Sequence, residues 1–161
     1  MFKNIAILSA IMFSAGSASY AQTNINLGGM TVDTAAAIEV SSDSLAVDQD
    51  SGKATFTGNV IIGQGDLRLS AAQVEVVYAA ENSEIAQLIA TGGVTFVTAT
   101  EAAEAQSANY DITSGLLTLT GDVLLTQGAS AISAQTMVVN VSTGTASMEG
   151  RVRTVLQQGG N

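Results

Sequence analysis

Residues 54–62 read ATFTGNVII, and residues 117–125 repeat the figure as LTLTGDVLL. Ala54, Phe56, Gly58, Val60 and Ile62 fall on one parity, while Thr55, Thr57 and Asn59 fall on the other. An apolar period of two is the signature of a strand with one face turned inward. In the later copy Leu117, Leu119, Gly121, Val123 and Leu125 take the inward parity, leaving Thr118, Thr120 and Asp122 outside. The same Gly-x-Val centre appears in LIATGGVTF (88–96) and in ASMEGRVRT (146–154).

The four central glycines, Gly58, Gly92, Gly121 and Gly150, are separated by 34, 29 and 29 residues. Two further landmarks keep phase with them. Ala71, Ala105 and Ala134 each follow a central glycine by 13 residues, and Gly52, Gly115 and Gly144 each precede one by six. Three landmarks in register make a tandem repeat of about 29 residues. The long first spacing contains five additional residues, which the polar run Ala80–Glu84 places in a surface loop. Ile38, Val40, Ser42, Leu45 and Val47 match Leu67, Leu69, Ala71, Val74 and Val76, so a half unit precedes three full units and a closing strand. The second half of each unit changes parity partway, from Leu67, Leu69 and Ala71 to Val74, Val76 and Tyr78, which requires a bulge or corner. The expected fold class is all-β, built of stacked, bent, antiparallel strand pairs. A lone unit could not bury its apolar face, whereas a stack buries one continuous face.

Composition narrows the function. The chain has no His and no Cys, so the commonest general base, the commonest metal ligand and the thiol nucleophile are all missing. No catalytic residue, metal site or cofactor is expected. Most of the carboxylates fall on turns or on the outward parity, and Asp43, Asp48 and Asp50 lack the spacing of a calcium loop. Lys3, the apolar run Ile5–Phe13 and the small residues Ser19 and Ala21 read as an export signal cleaved after Ala21. Beyond it stand four basic residues (Lys53, Arg68, Arg151, Arg153) against 14 acidic ones, a net charge of −10. Such a surface does not grip nucleic acid, which needs clustered Lys and Arg. The expected layout is a signal at 1–21, a flexible segment at 22–37, one β-domain at 38–156 and a tail at 157–161.

The run ATFTGNVIIGQGDLRLSAAQVEVVY (54–78), the preceding IEVSSDSLAVDQDSG (38–52) and the ending GRVRTVL (150–156) resemble the OstA-like family of periplasmic lipopolysaccharide-transport proteins. The resemblance spans Ile38–Leu156, with residues 81–104 matching only through the repeat phase. It implies a slightly twisted antiparallel β-jellyroll, open along one side. It also implies a periplasmic bridge, stacked head to tail as a homo-oligomer, that carries lipopolysaccharide from an inner-membrane transporter complex to an outer-membrane translocon of similar fold. The lipid A acyl chains would lie in the apolar interior. On that reading the lipid-facing candidates are Phe56, Val60, Ile62, Leu69, Val74, Val76, Val94, Phe96, Tyr110, Leu119, Val123, Leu125, Met137 and Val139. Each also reads as an ordinary packed core residue.

Partner contacts are expected at the ends, where Ile38, Glu39 and Val40 begin the sheet and Arg151, Val152 and Arg153 close it. Neither end carries the Pro or Lys that usually blunts an exposed edge. Two other readings stay open on sequence: an inner-membrane-anchored relative with the signal retained, and a self-assembling β-scaffold without lipid.

Overall fold

The computed structural model describes residues 23–26, 33 and 35–157. The expected signal at 1–21, its cleavage at Ala21 and most of the tail lie outside the described residues. Among the described residues eleven strands follow one another: β1 (Thr23–Asn26), β2 (Glu39–Ser41), β3 (Ser44–Asp48), β4 (Lys53–Gln64), β5 (Leu67–Tyr78), β6 (Ile85–Val97), β7 (Glu101–Asp111), β8 (Leu116–Gln127), β9 (Ser130–Asn140), β10 (Thr145–Glu149) and β11 (Arg153–Val155). They form one antiparallel sheet, ordered β1-β10-β9-β8-β7-β6-β5-β4-β2, with β3 on β4 and β11 on β9. No helix occurs among the described residues. The fold is all-β, as the repeat implies, and an open antiparallel jellyroll, as the resemblance implies.

The sheet bends along a line through the central glycines of the repeats. Two consecutive residues there have positive φ: Gly58 and Asn59, Gly92 and Gly93, Gly121 and Asp122, Gly150 and Arg151. Across the first three pairs the register jumps, two residues standing against one on the neighbouring strand. The bulge explains the parity change read in β5. Strand β4 contains the additional residue and keeps its parity, while β5 has the single Ala72 opposite and changes parity there. At Gly92 an added Cβ would stand 2.6 Å from the Ala72 Cβ, so both conformation and space require glycine.

Bulges aligned across the sheet fold it lengthwise into two arms. The first arm holds β3, β10 and the stretches 53–57, 73–78, 85–91, 107–111, 116–120 and 136–140. The second holds β2, β11 and the stretches 60–64, 67–71, 94–97, 101–105, 123–127 and 130–134. Turns at the outer tips of the first arm repeat as well. Asp48, Asp111 and Asn140 each accept hydrogen bonds from backbone N–H groups two or three residues on. A glycine of positive φ follows each of them by four residues, at Gly52, Gly115 and Gly144. The Ser51 hydroxyl first, and then the Ser51 and Asp50 N–H groups, lower the pKa of the Asp48 carboxyl, and the Ser114 N–H lowers that of Asp111. The five inserted residues form the loop between β5 and β6, closed by Ala79 and Glu84, with Ala80–Glu84 exposed as expected.

Within residues 22–37, Thr23–Asn26 forms β1 and pairs antiparallel with β10, at the opposite end of the sheet from β2. Four residues are too few to show a period, so tertiary pairing decides their state. Farther along, Ala36 N–H donates to the Asp33 carbonyl in a turn that leads into β2.

Candidate functional site

The inward side chains of the two arms meet in one apolar core. Of the fourteen sequence-predicted residues, thirteen are buried: Val60, Ile62, Leu69, Val74, Val76, Val94, Phe96, Tyr110, Leu119, Val123, Leu125, Met137 and Val139. Phe56 is partly buried and packs against them. The bulges bring this set together, since Val60, Leu69 and Phe96 come from the second arm and Val76, Tyr110 and Met137 from the first. The interior is filled. Between Ile38, Ile62, Leu69, Leu88, Tyr110 and Leu117 remains a cavity of about 10 Å³, room for roughly one water. An acyl chain does not fit in a cavity of that size.

Along the tips, where the sheet is open, the arms are tied by a polar pair that the sequence reading missed. The Tyr110 hydroxyl donates to Gln64 Oε1 at 3.2 Å, and Gln64 Nε2 donates to the Ala36 carbonyl at 3.2 Å. Gln64 is buried although polar, and it lies at the end of β4 on the inward parity of Val60 and Ile62. A polar residue on an otherwise apolar parity was the signal that could have marked it. Glu101 is another such residue, close to the buried Thr98. Buried at the start of β7, its carboxylate accepts from Thr98 Oγ1 at 2.7 Å and from Gln127 Nε2 at 3.1 Å, which fixes the neighbouring tips.

Burial raises the Tyr110 phenol above the ordinary tyrosine value. Folding therefore favours its neutral form. The contribution is complete below the ordinary tyrosine pKa and is lost as pH climbs through the raised one. Tyr110→Phe is expected to cost about 0.5–1.5 kcal/mol near pH 8, through the lost hydrogen bond to Gln64. Above about pH 10 the gap to wild type should narrow, because only the wild type must ionise there. Urea midpoints of both proteins at two pH values measure this.

At both ends of the sheet the inward positions lose their cover. Val76, Tyr110 and Val139 occupy equivalent places in successive repeats and are at most 5% exposed, whereas Val47, the same position in edge strand β3, is 63% exposed. At the other end Val152 corresponds to buried Val60, Val94 and Val123, yet it is 40% exposed beside β11. Leu45 in β3 and Leu156 after β11 are likewise exposed.

The predicted edge residues divide between these ends. Ile38 and Val40 lean on the core, while Glu39 faces solvent. Arg151 occupies the bulge position and Arg153 the outward parity of β11, both exposed. Among the described residues no strand lies outside β2, β3 or β11, whereas β10 is covered by β1. Among the described residues, too, no helix is long and apolar enough to cross a membrane, and no cluster of three or more carboxylates is placed to hold a metal ion.

Known proteins resemble this chain in fold or in sequence. A solved structure of LptH from Pseudomonas aeruginosa, the LptA-homologous periplasmic component of the lipopolysaccharide transport device, superposes with a TM-score of 0.68. That match covers 79% of this chain and 99% of LptH at 19% identity, which is a likeness of fold. An uncharacterized protein of Rhizobium meliloti (strain 1021) is 26% identical over 160 aligned residues, covering 92% of this chain and 86% of that one. The family model of the LptA/(LptD N-terminal domain) LPS transport proteins matches residues 39–145. Repeat, bent-strand jellyroll and family match agree, and this chain belongs to the LptA/LptD N-terminal domain family of LPS transport proteins.

Proposed function

We propose that this protein is a periplasmic lipopolysaccharide carrier that shelters acyl chains between its two arms. It stacks end to end as part of a bridge between inner- and outer-membrane transport complexes of similar fold. The observation that carries this reading is the pair of uncovered ends. Inward positions buried in every internal repeat stand bare in β3 and beside β11, so the apolar interior continues into whatever docks there. Unpaired strand edges accept another strand through backbone hydrogen bonds, and bare aliphatic side chains supply the apolar contact.

Charge favours head-to-tail order. The closing end presents Arg151 and Arg153, while the starting end presents Glu39, Asp43, Asp48 and Asp50, all of them exposed. Opposite charges of this kind guide encounter and register. The chemistry inside suits a carrier. Burying each methylene contributes about 0.8 kcal/mol, so a twelve-carbon chain contributes roughly 10 kcal/mol before ordering costs. That attraction is non-directional and lets lipid shift between similar positions along the trough. The acidic exterior repels phosphates and leaves the sugar head outside. Energy for one-way movement comes from a partner, since nothing here resembles a nucleotide site. A cargo-free scaffold is the second reading, and the filled interior is the observation in its favour.

Stacking has a direct test. Val47→Asp blocks the starting end and Val152→Asp the closing end, each at an exposed site where folding is little disturbed. Wild type is expected to form chains that lengthen with concentration, and each variant alone to stay monomeric. Mixing the two should give dimers and nothing longer, because each retains one working end. Sedimentation velocity reads all three states. Variants that assemble as wild type does would rule out these ends as the interface.

A further inference from the structure

The two arms do not end level at the closing end. Counting along the second arm, the strands are β2, β4, β5, β6, β7, β8, β9 and β11, eight in all. The first arm holds β3, β4, β5, β6, β7, β8, β9 and β10, also eight, and then β1 as a ninth. All pairings are antiparallel, so direction alternates at every step. An eight-strand unit that stacks on a copy of itself places the copy's β2 beside β11 and the copy's β3 beside β10. Both new pairings are then antiparallel, and both arms continue without a gap.

β1 occupies the second of these places. It lies outside β10, antiparallel to it, and therefore runs in the direction that the next copy's β3 would take. The lengths agree, four residues in β1 and five in β3. Pairing agrees as well. Ile25 stands in register with inward Ala146, as Val47 does with Ala54, the equivalent position of the first repeat. If β1 stayed, the next copy's β3 would meet it in parallel and one strand out of step with β2 on β11.

We propose that β1 is a built-in stand-in for the β3 strand of a second copy, which protects the closing edge of the lone molecule and is displaced when the bridge grows. The inference rests on the stacking reading and adds a control to it. Self-pairing is one way to blunt a sheet edge that has no Pro or Lys of its own. Exchange of one strand for an equivalent one costs little, because the hydrogen bonds lost on β10 are replaced one for one.

The test uses the mature chain, a variant lacking Thr23–Asn26, and a double variant, Asn24→Cys with Ser147→Cys. These two positions face each other across β1 and β10, within the span a disulfide bridges, and the chain has no other cysteine. Deletion is expected to lower the concentration for half-assembly by about tenfold or more. The oxidised double variant should stay monomeric, and reduction should restore assembly in the same sample. That internal control holds even if the deletion fails to fold. Oxidised and reduced forms that assemble equally would overturn the displacement of β1 and leave stacking intact. Failure of every sample to assemble, reduced and deleted forms included, would overturn stacking and this inference together.

Discussion

Phe96→Ala is expected to lower the unfolding free energy by about 3–5 kcal/mol, the usual cost of removing a fully buried aromatic ring. Phe96 is 0% exposed and stands in the second arm between Leu69 on β5 and Ala103 on β7. The ring also fills the space between the arms. Small alanines such as Ala90, Ala103 and Ala108 line much of this core, and they have no reach with which to close the gap. A single domain has about 5–15 kcal/mol in total, so the loss is a large share. Urea unfolding measures it, with Thr120→Ala as a control on the exposed outward parity, expected within about 0.5 kcal/mol of wild type. If acyl chains occupy the interior, added lipopolysaccharide should return part of the loss, since a ligand of the native state alone stabilises it.

Gly92→Ala should cost about 2–4 kcal/mol, for two separable reasons. Its φ of +82° is strained for a side-chain-bearing residue, by roughly 1–2 kcal/mol. Its new Cβ would stand 2.6 Å from the Ala72 Cβ, a contact that only backbone movement relieves. The neighbouring Gly93 separates these effects. It has a φ of +85°, but nothing lies within 4 Å of its added Cβ, so Gly93→Ala should show the conformational cost alone. Asn59 and Asp122 occupy the position of Gly93 in other repeats with φ near +46°, so Gly93→Asn should be close to neutral. Thermal unfolding of the three variants would rank Gly92→Ala lowest and Gly93→Asn highest. Equal losses at Gly92 and Gly93 would show that the approach of Ala72 has no part in the choice of glycine.

These two predictions fall on features with unequal legibility in the sequence. The inward parity of Phe96 could be read because strands alternate strictly and the repeat supplies four aligned examples. The bend could be read from the parity change between Ala71 and Val74. Which strand holds the additional residue could not, because a bulge belongs to a pair of strands and only their pairing shows that Gly58 and Asn59 oppose Ala72 alone. The inserted loop at Ala80–Glu84 was legible from phase.

Long-range choices were hidden. Nothing local in Thr23–Asn26 indicates that these residues cross to β10, more than 100 positions away in the chain. Gln64 and Tyr110 are 46 residues apart, and their hydrogen bond exists only because the arms fold together. The candidate site was therefore legible as a set of inward residues. That the set packs shut, with Phe56 alone partly open, follows from three-dimensional closure.

The most direct test of the carrier claim is site-specific photocrosslinking to lipopolysaccharide, with the probe placed in turn at Phe56, Val123 and Thr120. Phe56 is the partly open inward position, Val123 lies deep between the arms, and Thr120 faces solvent on the same strand as Val123. Lipid adducts at Phe56 and Val123 with none at Thr120 are the expected result, and they would mean that the arms part to admit acyl chains. An assembled protein that crosslinks at none of the three, or equally at all of them, would contradict the carrier and leave the cargo-free scaffold in its place.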